Sequence, residues 1–409
     1  MRQSSPPVSH RPPPVIAMDH RAATLYAAGE RKDRAMTVDI RTRPLTSPGP
    51  SPEAASLLAI ADCDIHHSPK LGMKGLYPYL DARWREHLEV FGSLPRQAFQ
   101  NGPAYPKGQP DASRRDAWPP GGGRPGSDLA FLRSHHLDAH NIALGVLSMI
   151  RPHPGSFMNG YLAAAVSRAM NLWQVAEWTG PEPRLKASLL IPYEDAEASA
   201  QEIHHWAGHG DYVQVLMLSR TAEPAGQKRY WPIYQAAAEA GLPIGVHAFG
   251  FGGYPVSGGG WPSFYMEDMV GHAQSSQAML TSLVLEGVFE RFPALKLVLI
   301  EAGFAWLPSL CWRLDKLFLR MRAELPHLKR LPSEYIREHV WLTSQPMEEP
   351  ADRAQALDAI EWIGWDRLLF ATDYPHWDYD DPAMALPGGV SEARRRGFFM
   401  DNARAVYGP

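Results

Sequence analysis

The 409-residue chain has only two cysteines, Cys63 and Cys311, so a disulfide framework does not hold its fold together. It has no apolar run of about 18 residues, and this argues against a transmembrane helix. It also lacks an excess of basic residues, since the formal net charge is -4, and therefore shows no nucleic-acid-binding surface. These absences predict a protein of a reducing compartment, the cytoplasm, which acts on a small molecule without nucleic-acid or membrane partners.

The first 56 residues differ in composition from the rest of the chain. They are rich in proline, serine and arginine and contain few large apolar side chains. A segment of this kind has little surface to bury, so we expect residues 1–56 to form a disordered leader. Residues 57–409 then form the folded part, and their length suits one large domain.

From residue 57 onward, short apolar runs typical of buried strands alternate with amphipathic stretches of helical period. The predicted strands cover 57–64, 141–149, 184–191, 212–218, 243–247, 295–300, 340–343 and 367–371. The predicted helices cover 159–178, 193–207, 229–240, 266–291, 306–323, 351–363 and 391–403. Strands that alternate with helices form parallel βαβ units. Eight such units predict an α/β fold, a closed (β/α)8 TIM barrel, with an open doubly wound sheet as the competing arrangement.

One interval breaks this alternation. Residues 67–140 separate the first two predicted strands and include a proline- and glycine-rich piece from 102 to 126. An insertion after a barrel strand rises over the face on which barrel enzymes carry their active sites. We therefore predict that 67–140 forms a lid or a subunit contact. The sequence leaves the oligomeric state open, with a homodimer as the commonest assembly.

Polar side chains gather where the predicted strands end. The set comprises Asp64 and His66 after strand one, Arg151 and His153 after strand two, Ser219 and Arg220 after strand four, His247 after strand five, Glu301 after strand six, and Asp373 with His376 after strand eight. Each alone has a structural explanation, such as a helix cap or a hydrogen-bonded core histidine. Burying several carboxylates together is costly unless a cation neutralises them, so the pattern indicates a divalent metal.

These residues resemble the motifs of the amidohydrolase-related (amidohydrolase 2) family of metal-dependent TIM-barrel hydrolases and decarboxylases, which includes aminocarboxymuconate-semialdehyde and resorcylate-type decarboxylases. Residues 62–66 (Asp-Cys-Asp-Ile-His) are similar to the family's first-strand motif, 242–247 to its fifth-strand ligand and 370–376 to its eighth-strand carboxylate. The resemblance covers about 61–409. It implies one divalent ion, Zn²⁺ first and Mn²⁺ as the alternative, bound by Asp64, His66, His247 and Asp373.

On this basis we expect roles for the residues around the ion. Asp373 or Glu301 would take the proton of a metal-activated water, and His272, at the start of the helix after strand five, would stabilise a developing oxyanion. The candidates for substrate binding are Arg151, Arg220 and His376. The two arginines would pair bidentately with a substrate carboxylate.

Three functions fit this pattern. The leading one is hydrolysis of an amide, ester or lactone of a small organic acid by a metal-activated water. The alternatives are a metal-dependent nonoxidative decarboxylase or hydratase of an aromatic or muconate-type acid, and a noncatalytic barrel. The resemblance implies a water-handling histidine at the end of strand six in decarboxylases, whereas this chain has Glu301 there, and the difference favours hydrolysis.

Overall fold

The computed structural model describes residues 58–93, 112–250 and 255–408. The predicted leader, 1–56, and the segment 94–111 of the insertion lie outside the described residues. Among the described helices, none combines the length and the hydropathy that a bilayer crossing requires.

Eight parallel strands form the sheet, in the order in which they occur along the chain. They are β1 Ile60–Ile65, β2 Ile142–Leu147, β3 Leu185–Leu190, β4 Tyr212–Arg220, β5 Ile244–Gly250, β6 Leu297–Ile300, β7 Val340–Thr343 and β8 Leu368–Leu369. The chain after β8 returns to β1, because Cys63 N donates to Phe370 O at 2.9 Å and His66 N donates to Tyr374 O at 2.7 Å. The sheet therefore closes on itself, which confirms the predicted barrel over the open doubly wound sheet.

The alternation of side chains along β1 separates the core from the barrel interior. Cys63 and Ile65 belong to the apolar core, whereas Asp62 and Asp64 alternate with them and point to the opposite face. Burial, together with the charges of Asp62 and Asp64, holds the pKa of the Cys63 thiol well above its ordinary value. Cys63 is therefore a packed thiol rather than a nucleophile.

Helices surround the barrel. They are α1 Ala82–Phe91, α2 Leu129–Leu132, α3 Gly160–Gln174, α4 Ala196–Trp206, α5 Trp231–Ala240, α6 Tyr265–Leu285, α7 Val288–Arg291, α8 Leu307–Met321, α9 Pro332–His339, α10 Arg353–Ile363, α11 Glu392–Arg396 and α12 Asn402–Tyr407. Local capping fixes several starts. The Asn159 side chain accepts from Leu162 N, and the Asp195 side chain accepts from Ala198 N, so these two residues cap the amino-terminal ends of α3 and α4.

Some helix predictions need correction, and the predicted helix 391–403 is found as α11 and α12. The stretch 266–291 is two helices, because Gly287 adopts a left-handed conformation, with φ of 76°, between α6 and α7. Helix α9 was not predicted, although Pro332 in its first turn and the bond from Leu331 N to the Glu334 carboxylate at 2.7 Å are ordinary helix-start signals.

The described parts of the insertion pack beside the loop that follows β8. Ser113 forms a short antiparallel bridge with His376, and Arg114 N donates to Pro375 O at 2.9 Å. On the other side, Ser68 N donates to Gly126 O at 2.9 Å, next to the exit of β1. The insertion therefore borders the end of the barrel at which the polar side chains gather.

Candidate metal centre

Asp64 lies in β1 and His66 follows two residues later, so both side chains share the face directed into the barrel. Asp64 is 1% exposed, and neither of its carboxylate oxygens has a hydrogen-bond partner among the described residues. Burying a carboxylate without a hydrogen-bond donor costs free energy, and a positive charge close to its oxygens would offset this cost.

Two imidazole rings face this carboxylate. His66 Nε2 lies 3.5 Å from Asp64 Oδ1, and His247 Nε2 lies 3.4 Å from Asp64 Oδ2. On the far side of each ring, His66 Nδ1 is 2.7 Å from Ser148 O and His247 Nδ1 is 2.9 Å from Ala248 O. A carbonyl oxygen only accepts, so both rings carry a hydrogen on Nδ1 and direct Nε2 towards the centre.

Two further carboxylates complete the cluster. Glu301 Oε2 lies 2.9 Å from His247 Nε2, and Asp373 Oδ1 lies 2.9 Å from His66 Nε2. Glu301 and Asp373 both adopt left-handed backbone conformations, with φ of 53° and 62°, which are uncommon for residues other than glycine. Sparsely populated backbone conformations of this kind are concentrated at functional sites.

These distances fit the ligand set of one divalent cation. Bonds of about 2.0–2.2 Å place neighbouring ligand atoms of one ion about 2.8–3.6 Å apart, from octahedral to tetrahedral geometry. The Nε2 atoms of His66 and His247 are 3.3 Å apart, and when both rings are neutral each of these atoms can donate a lone pair to a cation. Ligand atoms of Asp64, His66, His247 and Glu301 all lie within 4.8 Å of one another, so Glu301, predicted as an acid–base group, joins three of the predicted ligands. The fourth predicted ligand, Asp373, instead groups with His66 and His376 and with Glu301 and Asp378, and it meets the first group through His66 Nε2.

The charges of the cluster shift its pKa values. Burial lowers the pKa of His247, but the charges of Asp64 and Glu301 outweigh burial and raise it to about 10. Burial and the charge of Glu301 raise the pKa of Asp373 to about 8. Strongly perturbed ionisable groups of this kind are typical of functional centres.

His272 lies on α6, and the ring of Phe249 separates it from the cluster. Its ring packs against Phe249 with centroids 4.8 Å apart, and Phe249 stacks on His247 at 5.9 Å. His272 is 3% exposed, and neither ring nitrogen has a hydrogen-bond partner among the described residues. Burial lowers its pKa, so the ring is neutral near pH 7.

The three predicted substrate-binding residues divide between two cavities. Arg151 and His376 line a cavity of about 60 Å³ together with His66, at the mouth of the cluster. His376 also supports a predicted ligand, because its Nδ1 lies 2.6 Å from Asp373 Oδ1. Arg220 instead lines a separate cavity of about 620 Å³, and its charge acts on His272.

Two residues of the cluster were not predicted. Gln345 follows β7, and its Nε2 donates to Asp373 Oδ2 at 3.3 Å and to Asp378 Oδ2 at 3.1 Å. Asp378 belongs to the loop after β8, where burial and the charges of Asp373 and Glu301 raise its pKa to about 8. Gln345 lies just past the end of a strand, and this was the signal that could have identified it.

Comparison with known proteins identifies the family of the chain. A family model described as amidohydrolase matches residues 61–408. The chain belongs to the amidohydrolase family. Two relatives of this amidohydrolase-family protein are γ-resorcylate decarboxylases. The one from Polaromonas sp. is 27% identical over 300 residues, which cover 68% of this chain and 87% of the relative, and the one from Rhizobium sp. (strain MTP-10005) is 24% identical with the same coverage.

Solved structures share the fold of this amidohydrolase-family chain. The 5-carboxyvanillate decarboxylase of Novosphingobium aromaticivorans, complexed with manganese and 4-hydroxy-3-methoxy-5-nitrobenzoic acid, has a TM-score of 0.65 and 18% identity over 85% of this chain and 96% of its own. A dihydroxybenzoic acid decarboxylase of Polaromonas sp. JS666, with manganese and 2-nitroresorcinol bound, has a TM-score of 0.58 and 19% identity over the same shares. At these identities the likeness shows the barrel fold alone.

Proposed function

We propose that this amidohydrolase-family chain is a metal-dependent, nonoxidative decarboxylase of aromatic acids. The observation that carries the proposal is the convergence of His66 Nε2 and His247 Nε2 on the two unpartnered oxygens of Asp64. The γ-resorcylate decarboxylases match over 87% of their own length, which supports the lyase alternative over the hydrolase predicted from Glu301.

We infer that Asp64, His66, His247 and Asp373 hold one divalent cation. Imidazole and carboxylate ligands suit both Zn²⁺ and Mn²⁺. Manganese in two structures of similar fold supports Mn²⁺ as the first ion to test, ahead of the predicted Zn²⁺. When bound, a divalent cation supplies positive charge that binds a substrate oxygen and stabilises the charge that develops during the reaction.

Decarboxylation breaks the bond between a ring carbon and the carboxylate and forms a C–H bond, so one proton must reach that carbon as CO2 leaves. We assign this proton to Asp373, which lies 2.9 Å from His66 Nε2 and whose pKa in the metal-free protein is raised to about 8 by burial and by Glu301. His376 Nδ1 and Gln345 Nε2, at 2.6 and 3.3 Å from its two oxygens, fix the orientation of the carboxyl group.

Glu301 has a different role in this scheme. Burial opposes its ionisation, but the neighbouring His247 lowers its pKa to about 2, so it stays ionised. Its Oε2 lies 2.9 Å from His247 Nε2, so it neutralises the charge of that imidazole when the ring is protonated. The same residue favours a second function, because an ionised carboxylate at the end of β6 can take a proton from water, as hydrolysis of an ester or lactone requires.

Release of CO2 separates the two functions. Protein loaded with Mn²⁺ or Zn²⁺ should release CO2 from 2,6-dihydroxybenzoate or 5-carboxyvanillate and leave amides, esters and lactones of small acids intact. Cleavage of a compound of the second group, with no CO2 from any aromatic acid, would refute the decarboxylase and establish the hydrolase.

Elemental analysis tests the metal centre itself. His247→Ala should lose both the bound cation and turnover, because it removes one of the two converging Nε2 atoms. His204→Ala is the matched control, since His204 lies on α4 with its side chain 54% exposed, and it should keep both. Wild-type metal content and turnover in His247→Ala would contradict the scheme. A wild-type protein with neither cation nor activity would favour the noncatalytic barrel.

A further inference from the structure

Asp62 precedes Asp64 by two residues on β1. Unlike those of Asp64, both of its carboxylate oxygens accept hydrogen bonds. Its Oδ1 accepts from Thr372 N at 2.9 Å and from Asp64 N at 3.3 Å. Its Oδ2 accepts from Thr372 Oγ1 at 2.5 Å and from His136 Nε2 at 2.8 Å. Asp62 is fully buried, and with both oxygens engaged in this way it serves as a connector rather than a metal ligand.

The connection to Thr372 acts on a predicted ligand. Thr372 directly precedes Asp373, whose left-handed backbone needs support from its neighbours. Thr372 Oγ1 also accepts from Tyr374 N at 3.1 Å, so the residues on both sides of Asp373 are tied to Asp62. One carboxylate thereby fixes the separation between the end of β1, which carries Asp64, and the loop that carries Asp373.

The connection to His136 reaches the insertion. His136 lies in the helical turn Arg133–Leu137 that follows α2, and it is fully buried. Its ring stacks on Tyr374, with centroids 4.4 Å apart and an interplanar angle of 12°. The adjacent His135 Nδ1 lies 3.1 Å from Tyr374 OH. The insertion therefore packs against the loop after β8 through Tyr374 and also donates a hydrogen bond to Asp62.

We propose that Asp62 and His136 form a positioning pair that sets the cation affinity of the centre. The insertion then contributes to metal binding without supplying a ligand. The inference rests on the metal centre of the proposed function but not on the reaction, so it applies equally to a decarboxylase and a hydrolase. Replacing groups that orient metal ligands typically lowers metal affinity by about 10- to 100-fold.

Two substitutions of His136 isolate the hydrogen bond. His136→Phe keeps a ring that can stack on Tyr374 but removes the donor to Asp62, whereas His136→Gln keeps an N–H donor. The dissociation constant for Mn²⁺ is measured by calorimetry on the metal-free variants, and their stability by urea unfolding. We expect His136→Phe to weaken Mn²⁺ binding by about 10- to 100-fold and His136→Gln to restore most of the loss. Asp62→Asn should act in the same direction as His136→Phe.

Glu202→Gln is the matched control for a general loss of stability. Glu202 is a buried carboxylate on α4 that accepts from Asn171 Nδ2 at 2.9 Å and from Trp206 Nε1 at 2.7 Å. Its replacement should lower stability and leave the Mn²⁺ dissociation constant unchanged. A wild-type dissociation constant in His136→Phe, or an equal weakening in Glu202→Gln, would overturn the positioning role alone.

Two further outcomes are also decisive. If Asp62→Asn does not fold, the two His136 variants still decide the question. If the wild-type protein binds neither Mn²⁺ nor Zn²⁺, the metal centre fails, and the positioning pair with it.

Discussion

Two glycines of the insertion allow a matched test of how the insertion supports His66. Gly126 and Gly122 both adopt left-handed backbone, with φ of 72° and 75°. A Cβ atom at Gly126 would lie 2.3 Å from the main-chain oxygen of His66, whereas one at Gly122 would meet nothing within 4 Å. The two alanine variants therefore share the backbone strain and differ in the clash.

The magnitudes follow from these two terms. Left-handed backbone costs an alanine about 1–2 kcal/mol, so Gly122→Ala should lose about that much stability. Gly126→Ala adds the cost of displacing a backbone carbonyl in a packed region, about 1–3 kcal/mol, for a total of about 2–5 kcal/mol. The carbonyl must move by on the order of 1 Å to reach an ordinary contact, and this also displaces the His66 imidazole.

Urea unfolding of the metal-free proteins measures the stability difference, and titration calorimetry with Mn²⁺ measures the effect on the centre. We expect Gly126→Ala to be less stable than Gly122→Ala and to bind Mn²⁺ at least 10-fold more weakly, on the order seen for displaced ligand supports. Equal stability losses in the two variants, or an unchanged Mn²⁺ affinity in Gly126→Ala, would refute this account of the contact with His66.

Three further predictions concern the centre. Mn²⁺ at 100 times its dissociation constant should stabilise the fold by about 2.7 kcal/mol and, for a domain of roughly 350 residues, raise Tm by about 4 °C in scanning calorimetry; no shift would contradict the centre. Although burial lowers it, the pKa of His247 is raised from 6.5 to about 10 by Asp64 and Glu301, so its contribution to the stability of the metal-free protein is complete below pH 6.5 and lost as pH rises through 10. Urea unfolding across that range checks this fall, and Mn²⁺ affinity should rise over it because the cation competes with the proton. Asp373→Asn should lower turnover by about 100-fold or more, and unchanged turnover would remove Asp373 as the proton carrier.

The barrel could be predicted because the local sequence pattern alone indicates most of its strands. Short apolar runs such as Leu297–Ile300, set between helical stretches, favour strands buried on both faces, and the predicted strand at 340–343 agrees with Val340–Thr343. β8 was predicted at 367–371 but forms only Leu368–Leu369, because Phe370 N donates to Phe398 O, a partner far along the chain. A tertiary contact of this kind has no local signal.

The ligand cluster was predictable for a geometric reason. Asp64 and His247 lie in the carboxyl-terminal halves of their strands and Glu301 lies just past the end of β6, and a closed barrel brings these strand ends to one place. Strand position did not specify which cavity a side chain would line, since Arg220 ends β4 and lines a different cavity from Arg151 and His376. Tertiary contacts determine the direction of a long side chain, and the position of the residue on a strand does not specify these contacts.

The two halves of the centre differ in how they respond to mutation. The imidazoles of His66 and His247 are oriented by main-chain carbonyls of residues 148 and 248, which every amino acid carries. The Asp373 carboxyl is oriented by the side chains of His376 and Gln345, which a single codon change can remove. Genetic drift or directed evolution will therefore leave the histidine half intact and retune the aspartate half first.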